Sequence, residues 1–149
     1  ANAIMRALGR KLGYYPQDDQ TEAFLIDWAI ETHGDLWAKR HFYKIYAPTE
    51  PSEEDMAAYT ADLETNVKQF EGVLAKRNTA YLAGARLTIA DFIVFSLYSA
   101  WLYNELDSQP GMRAAGRAIV DRYPAFKAWI ERMKVDLSAH LSSRAQAPV

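Results

Sequence analysis

Thr88 and Asp91 place a hydroxyl and a carboxylate three residues apart, in the run Gly84-Ala85-Arg86-Leu87-Thr88-Ile89-Ala90-Asp91-Phe92. A carboxyl set among apolar residues has the makings of a general acid. The same spacing also builds a capping box, in which an N-cap hydroxyl accepts from the N3 amide and the N3 acid reaches back to the N-cap amide. The capping role already accounts for both residues, with Leu87 and Phe92 placed to close a hydrophobic staple. The sequence has three histidines and no cysteine. His33, His41 and His140 lack metal-ligand spacing to one another, and thiolate catalysis and cysteine metal sites are excluded. The expectation is therefore no metal site. Lys39-Arg40-His41 is a short basic run that reads as a solvated face. No catalytic residue follows from residue type and spacing alone.

The elements that must position these groups read as helices. From Ile89 to Tyr103 the only charged side chain is Asp91, so this helix is apolar on nearly all sides and belongs inside a bundle. It is too short to span a bilayer, which takes about 20 apolar residues. Ile4, Met5, Leu8 and Leu12 form one stripe of a first helix over 3–12, closed by Gly13. A polar link follows over 14–20. Asp19 and Glu22, at capping-box spacing, then start a long helix expected from Thr21 to Tyr46, where Ala47-Pro48-Thr49-Glu50-Pro51 breaks it. Ser52 and Asp55 open a third helix running to Arg77, with Met56, Tyr59, Leu63, Val67, Phe70 and Leu74 at spacings of three and four. After a turn at Asp107-Ser108-Gln109-Pro110-Gly111, a helix over 112–122 precedes another begun by Pro124. Its inner face is Phe126, Trp129, Ile130, Met133 and Leu137. The tail over 142–149 is small and polar and is expected to fray. No stretch alternates with period two. The fold class is all-α: a helical domain over 21–141 around a buried central helix.

Length and charge exclude other classes. At 149 residues, half of them hydrophobic, the chain has material for a sizeable core. Seventeen Lys and Arg against nineteen Asp and Glu give a net charge of −2, which advertises neither nucleic acid nor an anionic membrane as partner. The chain opens in mid-helix pattern without an initiator Met, which leads us to expect a fragment of a longer protein.

Two runs carry a family resemblance. Leu82-Ala83-Gly84-Ala85-Arg86-Leu87-Thr88-Ile89-Ala90-Asp91, followed by Tyr123-Pro124-Ala125-Phe126-Lys127-Ala128-Trp129, resembles the C-terminal helical domain of cytosolic glutathione transferases. Asn2-Ala3-Ile4-Met5-Arg6 resembles the last helix of that family's thioredoxin-like domain. The resemblance runs from Asn2 to about Leu137 and leans towards the mu and sigma classes. It implies that residues 1–13 are the last helix of a thioredoxin-like domain that is otherwise missing. That domain would supply the thiol-activating residue, so this chain alone is expected to be inactive. The resemblance further implies glutathione as co-substrate and no other cofactor, small hydrophobic electrophiles as substrates, a homodimer and a cytoplasmic location. By position in the family pattern, Asp35 reaches the glutathione α-amino group in the partner subunit. Gly34, Trp37 and Ala38 line the hydrophobic substrate pocket, with Tyr43 and Tyr46 near the same cleft. Asp27 matches an interface acid, and Arg6 and Arg10 the arginines offered across the two-fold axis.

Two other readings share the motifs. One is a non-catalytic assembly or structural module of the same fold, since the capping motif serves folding. The other is an unrelated bundle that binds a partner through its apolar faces.

Overall fold

The computed structural model describes residues 2–39, 44–45, 47, 49–104, 106 and 109–145. Seven helices follow in order: α1 (Asn2–Leu12), α2 (Gln20–Trp37), α3 (Glu53–Arg77), α4 (Ile89–Trp101), α5 (Pro110–Val120), α6 (Pro124–Asp136) and α7 (Ser138–Ser143). Among the described residues all regular structure is helical, as the periodicity predicts.

The starts of the helices follow their capping residues. Asp19 accepts from the Glu22 amide at 2.9 Å to open α2. Ser52 and Asp55 close a reciprocal box on α3, whose first turn is acidic and last turn basic, favourable ends for the helix dipole. Asn78 ends α3 in the left-handed region at φ 50°. Gly13, at φ 82°, reverses the chain after α1, and the Tyr14 amide donates to Gly9 O at 2.8 Å. Pro110 and Pro124 occupy the first turns of α5 and α6, where a missing N–H costs nothing.

α4 is the centre of the bundle. It packs against α1, α2 and α6, and Ser96 is its only exposed residue. An aromatic cluster surrounds it: Phe126 lies 5.1 Å from both Tyr98 and Trp129, and Trp101 meets Tyr59 edge-on at 5.1 Å. Gly116 admits α5 to this core, since a Cβ there would run into Leu102 and the Tyr59 hydroxyl. Gly9 does the same for α1, whose backbone lies against Ile89 and Tyr15.

The structure moves the end of α2 and the start of the tail, and adds a packing contact to the segment between α1 and α2. α2 ends at Trp37 rather than Tyr46. There the Lys39 amide donates to Leu36 O, a tightened last turn, and a separate short turn buries Ile45 in the core. Residues 40–43, 46 and 48 lie outside the described residues, and with them Arg40, His41, Tyr43 and Tyr46. The segment over 14–20 is more than a link: Tyr15 is buried and its hydroxyl donates to Asp27 at 3.0 Å. Ser142 and Ser143 belong to α7, held down by half-buried Leu137 and Leu141, whereas 146–149 are outside the described residues.

α1 is only lightly covered. Its single buried residue is Gly9, while Ile4 and Leu12 are 66% and 63% exposed.

Candidate functional site

Asp91 sits at the buried start of α4, and its carboxylate is saturated with donors. Oδ2 accepts from the Thr88 amide at 2.9 Å and from the Thr88 hydroxyl at 3.0 Å. Oδ1 accepts from the Leu82 amide at 3.0 Å and from the Trp129 indole at 2.9 Å. Burial pushes the carboxyl above its ordinary range, and the four hydrogen bonds pull against that. A carboxylate so occupied ties the Leu82 loop, the helix start and α6 together. It has no face left for a substrate.

Asp35 is its opposite. It is exposed on the outer side of α2, in a cleft of about 190 Å³ that opens between α2 and α3. Thr32, Leu36 and Lys39 share the α2 wall, and Asp62, Thr65, Asn66 and Gln69 form the α3 wall. Asn66 fixes the floor: its amide donates to Thr32 O at 3.0 Å, and its carbonyl accepts from the Tyr98 hydroxyl at 3.0 Å. Lys39 approaches Asp62 at 3.8 Å across the mouth. Carboxylates, hydroxyls and amides at the mouth of a cleft suit a small polar cation such as an ammonium group.

The other resemblance-based positions fall around this cleft rather than in it. Gly34 is half-buried, and a Cβ built on it would meet nothing within 4 Å. Ala38 is exposed. Trp37 packs partly on the core, edge-on to His33 with ring centres 6.4 Å apart. His33 itself is buried, with no hydrogen-bond partner for Nδ1 among the described residues, and burial lowers its pKa to about 4. His140 is exposed. Among the described residues no three His, Cys, Asp or Glu side chains converge as metal ligands.

Arg6, Arg10 and Asp27 meet within a single chain. Arg6 bonds Asp27 through Nε at 2.8 Å and Glu31 through Nη2 at 2.9 Å. These bonds, that to Asp27 foremost, raise the guanidinium pKa. Arg10 stacks over the Tyr15 ring at 4.7 Å. Burial, and then the bond to Asp27, raises the Tyr15 pKa. The cluster pins α1 to α2 and leaves Glu31 two-thirds exposed at its edge.

Sequence reasoning missed the α3 wall of the cleft, the indole on Asp91 and the place of Glu31. Asp62 and Asn66 are polar positions on an amphipathic helix, and nothing local marks them as facing Asp35. Glu31 carried a local signal, since it lies one turn beyond Asp27.

Comparison with known proteins adds a family. The model of the family described as "Glutathione S-transferase, C-terminal domain" matches residues 36–144. Among curated proteins, glutathione S-transferase P of Bos taurus is 32% identical over 147 residues, and that of Homo sapiens is 29% identical over the same length. Each alignment takes in 96% of this chain and 62% of the relative, so the chain spans under two thirds of these relatives' length. These relatives are of the P type, where the sequence resemblance leans to mu and sigma. Among solved structures, the glutathione S-transferase from Ascaris lumbricoides superposes with a TM-score of 0.77 at 19% identity, covering 98% of this chain and 68% of that one. The glutathione S-transferase Blo t 8 superposes with a TM-score of 0.75 at 19% identity, covering 95% and 61%. At such identities the likeness speaks for the fold. Among the described residues no helix is long and apolar enough to cross a membrane.

Proposed function

The chain belongs to the glutathione S-transferase family, as its C-terminal helical domain, and on that premise we propose that it is the helical part of an enzyme conjugating glutathione to small hydrophobic electrophiles in the cytoplasm. The observation that carries the proposal is the Asp35 carboxylate at the mouth of the α2–α3 cleft, without a hydrogen-bond or ion-pair partner among the described residues, in a chain of this family. A carboxylate free of internal bonds can accept the glutathione α-ammonium of a partner subunit, and charge-assisted bonds of this kind are roughly twice as strong as neutral ones. In this reading Gly34, Trp37 and Ala38 border the electrophile, and the open space beside Gly34 leaves it room. Arg6, Arg10 and Asp27 stand at the homodimer interface. There the internal Arg6–Asp27 bond would be exchanged for, or shared with, a bond across the two-fold axis.

Thiol activation falls to a thioredoxin-like domain and not to this chain. The exposed Ile4, Leu8 and Leu12 stripe on α1 supports that division, because a stripe this apolar calls for cover. Conjugation of a chlorinated aromatic compound, measured with and without such a domain joined ahead of α1, tests the proposal. Turnover is expected with the domain and not without it. No turnover in either form, together with no retention on immobilised glutathione, would leave a non-catalytic module of the same fold.

A further inference from the structure

We propose that Asn66 is a positioning residue for Asp35: with Tyr98 it forms a buried polar relay from α4 through α3 to α2, and the relay holds the last turn of α2 so that its carboxylate stays at the cleft. The inference rests on the reading of Asp35 as acceptor for the glutathione ammonium group, and adds the residue that keeps it aimed.

The direction of the relay follows from which atoms can donate. The Thr32 carbonyl can only accept, so the Asn66 group that meets it at 3.0 Å is the Nδ2 amide. Oδ1 then points the other way, where it accepts from the Tyr98 hydroxyl at 3.0 Å. Burial pushes that hydroxyl above its ordinary titration range, so it keeps its proton and remains a donor. Tyr98 thus fixes the amide orientation that α2 requires.

Asn66 sits among apolar neighbours. The other buried residues of α3 are Tyr59, Leu63, Val67, Phe70 and Leu74. A matched buried amide gains little net stability over an apolar side chain of the same shape. What it supplies is direction, and the element it directs is a helix end. Asp35 lies two residues before Trp37, where α2 stops. Terminal turns fray, because their last carbonyls lack partners within the helix. The Thr32 carbonyl is the helical acceptor for the Leu36 amide, and Asn66 fills its second lone pair from the side. That tie, with Leu36 buried beside Asp35, sets the rotation of the turn about its axis. Asp35 is exposed and takes its aim from the backbone that carries it. Thr32, Asp35 and Asn66 line the same cleft.

The test measures glutathione binding with a thioredoxin-like domain joined ahead of α1. Asn66→Leu should weaken glutathione about fivefold and speed hydrogen exchange at the Leu36 and Lys39 amides. Adding Tyr98→Phe removes the orphaned hydroxyl and should bring the urea midpoint back towards the parent, while glutathione binding stays weak. A merely structural Asn66 would recover both together. In an Asp35→Asn background, Asn66→Leu should cost no further binding. A glutathione analogue lacking the amino group should bind the parent and Asn66→Leu alike. The inference is overturned if the double variant regains binding with stability, if the analogue is weakened as much as glutathione, or if the fivefold loss persists without the Asp35 charge. Asp35→Asn separates its failure from that of the reading beneath it. If that variant binds glutathione as the parent does, the role of Asp35 falls and the inference with it. If it binds weakly while Asn66→Leu binds as the parent does, the inference alone falls.

Discussion

Asp91 and Asp35 carry the same side chain in two settings, and the difference separates folding from function. Asp91 has four donors on two oxygens and is fully buried. Asp35 is exposed, beside a cleft, with no bond to the described residues. A carboxylate whose valences are filled from within its own chain organises that chain. One left open at a cleft can organise something else. The glycines repeat the contrast, with Gly116 and Gly9 pressed against neighbours while Gly34 faces open space. The closed region should thus respond to substitution in stability, and the open region in binding.

The sharpest test is Asp91→Ala. It leaves the Leu82 and Thr88 amides and the Trp129 indole buried without an acceptor, and each such orphan costs about 1–3 kcal/mol. We expect a loss of about 3–5 kcal/mol by urea denaturation, enough to unfold a marginal domain. A loss under about 1 kcal/mol would break the contrast at its stronger end.

His33 comes next. Its ordinary pKa is 6.5 and burial lowers it to about 4, so the unfolded chain binds the proton first. The stability held by neutral His33 is complete above pH 6.5 and drains away as pH falls towards 4. Its size is on the order of 3 kcal/mol. Unfolding at pH 7 and pH 4.5 should therefore differ more for the parent than for His33→Leu, the comparison cancelling the carboxylates that titrate in the same range. Parallel pH profiles would show that the imidazole is solvated after all.

Gly116→Ala tests the closed backbone contacts. The new methyl meets Leu102 and the Tyr59 hydroxyl, which is itself held to Met112 O at 2.9 Å. Overpacking of this kind costs about 1–3 kcal/mol. The midpoint of chemical unfolding should fall accordingly.

The closed region was also the legible one. The Thr88–Asp91 spacing, the apolar run behind it and the Ser52–Asp55 start are local, and local patterns survive into the fold because adjacent residues define them. The Trp129 indole on Asp91 was not legible, since it arrives from 38 positions away. The α2–α3 cleft was half legible: the family resemblance singles out Asp35, but the Asp62, Thr65 and Asn66 wall exists only once two helices pack. The overlong α2 failed for a related reason. Helical periodicity persists past Trp37, and the end of the helix shows only in its backbone, where the Lys39 amide turns to Leu36 O. The tight Gly9 and Gly116 contacts left no trace in a pattern built from side chains.

Gly34→Ala should act in the other direction from Gly116→Ala. A methyl at Gly34 meets nothing within 4 Å, so only the helix propensity changes. A gain of about 0.5–1 kcal/mol is expected. A destabilised variant would place an unseen neighbour beside Gly34 and close the space assigned to the electrophile.

The smallest effect on stability is the most informative. Asp35→Asn removes a charge that no described residue uses, so unfolding should move by no more than about 0.5 kcal/mol. In a complete enzyme the same change should still weaken glutathione binding by about tenfold, the worth of one charge-assisted bond to an ammonium group. It should not weaken binding of an analogue lacking that amino group. Stability and binding would then part company at Asp35 just where they coincide at Asp91. A substitution that lowered both together would make Asp35 another internal tie, and the open carboxylate would lose its claim to a ligand.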